Sequence, residues 1–357
     1  MIDPLLALLA FGAVAAAVAA VFWPRRGLAA RLTRLRRLSD RVRLEDALKH
    51  LYHCEYAGGR STEESLAGAL ETSHAGAVRL LVRLEEMGFV FSVEEGVRLT
   101  DEGRGYALRI VRTHRLWERY LADRTGVAPG DWHLEADRQE HTLSPAEAED
   151  LASRLGHPRY DPHGDPIPTA SGEVPRPFGM PLTSLELGQL ATIVHLEDEP
   201  PEVFDEIVAA GLSPAMQVRV LDVSNEEVRF EAEGHEHRVR PIVARHITVE
   251  PLPADVPADR HETLAGLRED ETGCVVRIAP ACQGPQRRRL LDLGVVPGTL
   301  VTAELVSTGG DPVAYRIRGA LIALRREQAS WVRIRRTDTG RRQARRHRSE
   351  TGRRAGS

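Results

Sequence analysis

The chain has 357 residues, of which 42% are hydrophobic and 28% are charged, and this composition excludes a largely disordered protein. The length allows two to four domains. The formal net charge of −4 says little about partners, because arginines are concentrated near both ends of the chain, at 25–43 and 333–354. The three cysteines have no zinc-ligand spacing, which favours buried thiols in a reducing compartment.

The first segment predicts a membrane anchor over residues 1–24. Nineteen residues from Leu5 to Trp23 carry no charge, enough at about 1.5 Å per residue to cross most of a bilayer. Arginines follow Trp23, so the positive-inside rule predicts a single-pass protein of the cell membrane with the bulk of the chain in the cytoplasm. A cleaved signal or a buried alanine-rich helix is the alternative. Residues 25–42 predict a basic linker helix, either on the membrane surface or solvated.

Residues 43–101 predict a winged helix-turn-helix domain. Apolar residues recur at helical spacing from Leu44, and two glycines at 58–59 end that helix. A short helix over 62–70 and a longer one over 74–87 follow, and Gly88 is placed to end the second. The apolar runs 89–91 and 97–99 flank a turn, which predicts the two strands of a wing.

A helical domain is predicted over residues 102–158, with helices over 102–124, over 131–142 and from Ser144 onward. Proline and glycine crowd residues 159–180, which predicts an irregular linker. Beyond it, the run Gly211-Leu212-Ser213-Pro214 is echoed by Gly294-Val295-Val296-Pro297. Short β-branched strands surround both runs, so we predict two small β-barrels over 181–253 and 261–336. The arginine-rich tail, 337–357, is predicted to be disordered.

The helical domain carries a pattern of metal-binding side chains. At about 100° per residue, four donors share one face of the predicted 131–142 helix: His133, Asp137, Glu140 and His141. Such donors are costly to bury without a cation. His114 and Glu118 share a face of the preceding helix, and Asp46 of the winged domain could reach the same region. Imidazoles and carboxylates without thiolates suit Mn²⁺ or Fe²⁺. A solvated acidic helix with surface histidines is the plain alternative.

Three segments resemble the diphtheria-toxin-repressor family, which includes the manganese-transport regulators. They are Arg112–Leu121, Glu135–His141 and the linker Gly156–Pro168, and the resemblance covers about residues 43–253. The repeats resemble the SH3-like domain of ferrous-iron transport A proteins, which some family members carry once. We therefore expect an α+β multidomain protein with an N-terminal transmembrane helix, a winged helix, a helical metal-binding and dimerisation domain, and two SH3-like barrels.

Carried over by position, the resemblance implies two adjacent metal sites. The residues that match the first site are His114, Glu118 and His133. Those that match the second are Asp46, Asp137, Glu140 and His141, with His114 as a further candidate. The carboxylates at Asp46 and Asp137 resemble the manganese branch, but Lys49 stands where that branch has another carboxylate. A cation there would repel a metal or substitute for it. From the first barrel, Glu199 and Glu202 are candidates to complete a site.

The resemblance also implies a mechanism. Metal ties the helical domain to the winged domain and sets the spacing of two recognition helices in a homodimer for double-stranded DNA. The residues expected to contact DNA are Ser73, His74, Arg79 and Arg98. We thus expect a membrane-tethered, Mn²⁺- or Fe²⁺-dependent repressor of metal homeostasis and not an enzyme, since no His-Glu-x-x-His motif is present.

The alternative is a membrane-bound metal sensor that no longer binds DNA. It would regulate a metal transporter through its two barrels. Gly76 and Val78 replace polar residues that are common in the recognition helices of relatives, and this replacement, together with the duplicated barrel, favours the alternative.

Overall fold

The computed structural model describes residues 28–94, 96–175, 179–253 and 262–337, with side chains from Asp40 onward. These residues form two compact units. The first unit contains the residues up to 113 together with 140–146 and 168–173. The second contains 114–139, 147–167 and the residues from 174 onward. Both helices and sheets are present, as the predicted α+β class requires.

The first helix, α1, runs without interruption from Leu28 to Tyr56. The sequence predicted a linker helix that ended at residue 42 and a second helix that began near Leu44. The stretch between Leu38 and Leu44 contains neither proline nor glycine, so no residue there ends the helix. On α1, Leu48 and Leu51 are almost fully buried, and they anchor the helix in the core of the first unit.

The predicted helix-turn-helix and wing are both present. Helices α2 (Glu63–Ala69) and α3 (His74–Glu86) are followed by strands β1 (Val90–Val93) and β2 (Gly96–Leu99), which pair antiparallel. Thr62 and Ser65 form a reciprocal capping box at the start of α2. Glycine is required at position 96, because its φ is 135° and a Cβ atom there would lie 2.3 Å from the carbonyl oxygen of Ser61.

Three further helices match the predicted helical domain: α4 (Asp101–Arg124), α5 (Trp132–Glu140) and α6 (Pro145–Arg154). The proline-rich segment after α6 has no helix or strand up to residue 175, as predicted, yet it is locally well fixed. One carboxylate oxygen of Asp161 accepts hydrogen bonds from three successive backbone amides, those of residues 163, 164 and 165, each at 2.9 Å. Asp161 and His163 are consequently held in buried positions.

Two sheet domains follow the linker, and each has six strands and two short helices. The first contains β3 (Met180–Pro181), β4 (Leu190–Leu196), α7 (Pro201–Ala209), β5 (Gln217–Val223), β6 (Val228–Ala232), β7 (His235–Val239), α8 (Pro241–Arg245) and β8 (Ile247–Pro251). The second contains β9 (Glu262–Thr263), β10 (Thr272–Ile278), α9 (Gly284–Asp292), β11 (Leu300–Val306), β12 (Val313–Ile317), β13 (Ala320–Leu324), α10 (Arg326–Ser330) and β14 (Val332–Arg336).

The two sheet domains share one topology. Neighbouring strands pair antiparallel in the order β3-β8-β4-β5-β6-β7 in the first and β9-β14-β10-β11-β12-β13 in the second. Strands β4 and β10 also have the same succession of buried and half-buried residues. Phe230 and Tyr315 fill the respective cores. The predicted internal repeat is confirmed, whereas closure of each sheet into a barrel stays a prediction.

The predicted localisation in the cell membrane is wrong. Over the residues that the structure describes, no helix is long and apolar enough to cross a bilayer. The predicted anchor, 1–24, lies outside the described residues. Eight of the nineteen uncharged residues behind that prediction are alanine, whose small side chain contributes little to insertion. Residues 338–357 of the predicted disordered tail also lie outside the described residues.

Candidate metal centre

The first cluster of donors lies in the second unit and is built on α4 and α5. His114 and Glu118 are one turn apart on α4 and share a face, and His133 lies in the first turn of α5. His114 Nε2 is 3.0 Å from Glu118 Oε1 and 3.2 Å from His133 Nδ1. His133 Nδ1 is in turn 3.3 Å from Glu118 Oε1. Three donor atoms from these residues lie within 4.8 Å of one another.

Asp137 extends this cluster. It lies one turn after His133 on α5, and its Oδ1 is 3.3 Å from His114 Nδ1. Its Oδ2 is 3.7 Å from His133 Nε2. The resemblance assigned Asp137 to the second site, but these distances bring it against the two histidines of the first.

Two residues that the sequence did not single out complete the surroundings. Asp198 follows β4, and its Oδ2 is 3.2 Å from His133 Nδ1 and 3.5 Å from His163 Nδ1. His163 comes from the proline-rich linker, is 3% exposed and packs edge-on against Phe204. Its Nε2 has no hydrogen-bond partner among the residues described. Donor atoms of Glu118, His163 and Asp198 again lie within 4.8 Å of one another.

The candidates Glu199 and Glu202 lie on the surface instead. They follow Asp198 by one and four positions, in the loop after β4 and the start of α7. A loop has no periodicity from which the inward-facing side chain can be read. The acidic run Glu197-Asp198-Glu199 was the available signal, and it does not say which of the three carboxylates turns inward.

Hydrogen bonds between imidazoles and carboxylates link the residues of the first cluster. Burial favours a higher pKa for Glu118, but the charge and hydrogen bonds of His114 and His133 hold the pKa of this carboxyl well below its usual value. Burial lowers the pKa of His133, but hydrogen bonds to Asp198 and Glu118 outweigh it and raise the pKa to about 10. The pKa of Asp198 is lowered by its hydrogen bond to His133, against the effect of burial. A bound metal ion would replace these protons.

A second cluster lies in the first unit around His141. His141 Nε2 is 3.1 Å from Asp46 Oδ1 and 3.4 Å from Glu140 Oε1. His141 Nδ1 is 2.7 Å from Glu45 Oε2. Burial lowers the pKa of His141, but hydrogen bonds to Asp46 and Glu45 raise it to about 9. Glu45 was not predicted from the sequence, although it is the residue directly before Asp46.

Lys49 occupies part of this second cluster. Its Nζ donates a hydrogen bond to Glu140 Oε2 at 2.9 Å, and the two side chains are 12% and 1% exposed. Both are therefore largely removed from water, and the pair has the length of a charge-assisted hydrogen bond.

The two clusters differ in how well they fit a divalent ion. The first offers imidazole nitrogens, the buried Glu118 carboxylate and an unpartnered His163 nitrogen, a donor set suited to Mn²⁺ or Fe²⁺. In the second, donor atoms of Asp46, Glu140 and His141 also lie within 4.8 Å of one another. Spacing alone would therefore admit an ion there. The Lys49 ammonium on Glu140 opposes it, so the second cluster does not fit a metal in the same way.

The residues predicted to contact DNA are all exposed: Ser73, His74, Arg79 and Arg98. Two of them also have contacts within the first unit. Ser73 Oγ accepts a hydrogen bond from Gly76 N at 3.2 Å and so caps α3. His74 Nε2 is 3.3 Å from Glu63 Oε2. Gly76 lies close to Thr72, since a Cβ atom would be 2.5 Å from Thr72 Oγ1.

Comparison with known families gives two matches. A family described as "iron dependent repressor, metal binding and dimerisation domain" matches residues 100–169, which include the first cluster's residues on α4, α5 and the linker. A family described as the FeoA domain matches residues 262–336, the extent of the second sheet domain.

Comparison with individual proteins gives relatives for a little more than half of the chain. The diphtheria toxin repressor of Corynebacterium glutamicum is 31% identical over 194 residues, 51% of this chain and 83% of the repressor. The iron-dependent repressor IdeR of Mycobacterium bovis is 28% identical over 213 residues, 56% of this chain and 92% of IdeR. A solved structure of a manganese-dependent transcriptional repressor in complex with manganese is 31% identical, with a TM-score of 0.53, and spans 58% of this chain and 99% of that one.

Proposed function

The chain belongs to the diphtheria-toxin-repressor family, and on that premise we propose that it is a Mn²⁺- or Fe²⁺-dependent repressor that controls genes of metal homeostasis. Like its relatives, which are transcriptional repressors, it is a regulator of transcription and not an enzyme. The observation that carries the proposal is the first cluster, in which two imidazoles converge on the buried Glu118 carboxylate.

We assign the metal to His114, Glu118 and His133, with Asp198 and His163 in reach. When bound, the ion supplies a double positive charge to which several donors attach at once. Glu118 is 2% exposed, and a buried carboxylate is costly unless it is paired, so the ion would pair with it once the imidazoles have lost their protons. Asp198 belongs to the first sheet domain and His163 to the linker, so metal binding would draw these parts of the second unit toward the helices.

The DNA-binding side of the proposal depends on the helix-turn-helix. Helix α3 has the position of a recognition helix, and the exposed residues His74 and Arg79 lie on it, with Ser73 at its N-cap. Arg98 on the wing is available for a phosphate. Two such modules in a homodimer would fit successive major grooves. Metal would act by favouring the arrangement that fits DNA, through its higher affinity for that arrangement.

The alternative of a membrane-bound sensor that acts on a transporter is not retained, because it required the membrane localisation that was found to be wrong. The relatives reported above are all described as repressors. We therefore propose that Gly76 and Val78, which stand where relatives commonly have polar residues, change the DNA sequence that α3 recognises.

The test uses the full-length protein and a library of random-sequence DNA duplexes. Binding is selected in MnCl₂, and the enriched duplexes are measured by fluorescence anisotropy with Mn²⁺, with Fe²⁺ under anaerobic conditions, and with EDTA. We expect binding that is at least about tenfold tighter with metal, since allosteric couplings are typically 5–150-fold. The matched variant Glu118→Gln should lose the metal effect while it keeps its circular dichroism spectrum. Binding that is equal in EDTA, or absent with every metal, would reject the proposal.

A further inference from the structure

We propose that Lys49 serves as a built-in cation at the second cluster, so that each protomer binds one divalent ion, at the first cluster, where the resemblance implies two. This inference rests on the proposed metal-binding function of the first cluster. It concerns the number of ions and the residue that sets it.

The sequence gives an independent reason to single out this side chain. The chain has 48 lysines and arginines, and Lys49 is the only lysine among them. Everywhere else the positive charge is carried by arginine, whose planar guanidinium is broad and forked. An ammonium is a compact point charge and is thus the side chain that most closely matches the size and symmetry of a metal ion. The single lysine lies among the carboxylates of the second cluster, which is where a substitute for a metal ion has to lie.

The geometry shows that each carboxylate of the second cluster already has a partial or full positive partner. Lys49 contacts Glu140 at 2.9 Å, and His141 contacts Asp46 at 3.1 Å. Glu45 is also bound by the Nε of Arg41 at 2.7 Å and by the hydroxyl of Tyr106 at 2.6 Å. An ion bound by Glu140 would either lie beside the Lys49 ammonium, which repels it, or break the buried pair and leave a charge without its partner.

The two clusters also differ in what their positive groups can become. An imidazole that gives up its proton offers a nitrogen lone pair to the metal. A lysine ammonium has three donors and no acceptor, and it remains a repelling charge next to any ion bound by Glu140. Lys49 follows Asp46 by one helical turn on α1, so the ammonium and that carboxylate share one face of the helix.

One consequence is that the contact between α1 and Glu140 does not depend on metal binding. In the first cluster the carboxylates of Glu118 and Asp198 accept hydrogen bonds from imidazoles, whose protons a metal can replace. In the second, the Lys49–Glu140 pair holds without an ion. Metal dependence would then reside in the first cluster alone.

The test measures Mn²⁺ stoichiometry in the full-length protein by equilibrium dialysis, with metal counted by mass spectrometry. We expect one Mn²⁺ per protomer in the natural protein and two in Lys49→Glu, which places a carboxylate where the ammonium stood. Lys49→Gln is the matched control that removes the charge without adding an anionic donor, and it should bind fewer than two. In Lys49→Glu, the paired ions should give the spin-coupled electron paramagnetic resonance signal of neighbouring Mn²⁺ ions, which the natural protein should lack.

The outcomes separate the two proposals. Two ions in the natural protein, or one ion in a folded Lys49→Glu variant, would overturn the role of Lys49 and leave the metal function of the first cluster standing. No Mn²⁺ bound to the natural protein would reject the proposed function, and this inference with it. Addition of Glu118→Gln should lower the count from one to zero in the natural background and from two to one in Lys49→Glu, which identifies the occupied cluster in each case.

Discussion

Asp198 provides a direct test of whether the first sheet domain contributes to the metal site. The substitution Asp198→Asn keeps the size of the side chain and removes its charge. In the structure this carboxylate lies 3.2 Å from His133 Nδ1 and 3.5 Å from His163 Nδ1, and it is 18% exposed. It therefore has the partners of a metal ligand or of a group that orients one.

The magnitude follows from these contacts. A hydrogen bond to a charged group contributes about 1.5–3 kcal/mol, and about 1.4 kcal/mol corresponds to a tenfold change in affinity. We therefore expect Asp198→Asn to weaken Mn²⁺ binding about 10–100-fold, the range that is typical for groups that support metal ligands. Isothermal titration calorimetry of the full-length protein measures it.

Glu199→Gln is the matched control, because it removes the same charge one residue away on an exposed side chain. Its Mn²⁺ affinity should stay within about twofold of the natural protein, since exposed charges contribute little. The reasoning is refuted if Asp198→Asn binds Mn²⁺ as tightly as the natural protein. Equal losses in both variants would also refute it, because they would indicate a general effect of charge and not a contact with the site.

Three further predictions concern protons, stability and DNA. Because the pKa of His133 is about 10, Mn²⁺ must displace a proton from this side chain, and the affinity for Mn²⁺ should rise about tenfold per pH unit from pH 6 to 8. Calorimetric titration in buffers of different ionisation enthalpy should show the release of a proton. If no proton is released at pH 7, His133 is not the assigned donor. Phe230→Ala leaves a cavity at a fully buried position and should lower the free energy of unfolding, measured in urea, by about 3–5 kcal/mol. The control Val223→Ala changes an exposed side chain and should lower it by less than about 0.5 kcal/mol. Arg79→Ala should weaken DNA binding and reduce its salt slope by about one, with unchanged Mn²⁺ stoichiometry; an unchanged DNA affinity would remove Arg79 from the interface.

Helical periodicity was sufficient to predict the first cluster in part. His114 with Glu118, and His133 with Asp137, are each four residues apart on a helix, and that spacing places each pair on one face whatever the rest of the fold does. The continuous α1 was missed for a related reason. The change from a basic to an apolar pattern near residue 43 looked like a boundary, but composition does not end a helix in the way that proline or glycine does.

The site residues that the sequence analysis missed depend on contacts that helical or strand periodicity does not predict. Glu45 and Asp46 lie about 100° apart around α1, and the helical period alone does not show that both contact His141. The His141 ring reaches both because each of its two nitrogens takes a different neighbour, Nδ1 facing Glu45 and Nε2 facing Asp46. Asp198 and His163 come from segments without regular structure, so their approach to the helices depends on how the second unit folds.

The two sheet domains have the same fold but differ in the chemistry of the loop after β4 and β10. Both domains have the same strand order, and β4 and β10 have the same succession of buried positions. After β4 comes Glu197-Asp198-Glu199, whereas after β10 the corresponding residues are Ala279-Pro280-Ala281.

The second domain therefore offers no carboxylate where the first places Asp198. It is joined to the first through Glu233, whose carboxylate accepts hydrogen bonds from Arg277 at 3.0 Å and from the Nε of Arg333 at 2.6 Å. The apolar alternation of the strands specifies the sheet in both domains. The loop residues, which that alternation leaves free to vary, place an acid at this position in the first domain and none in the second.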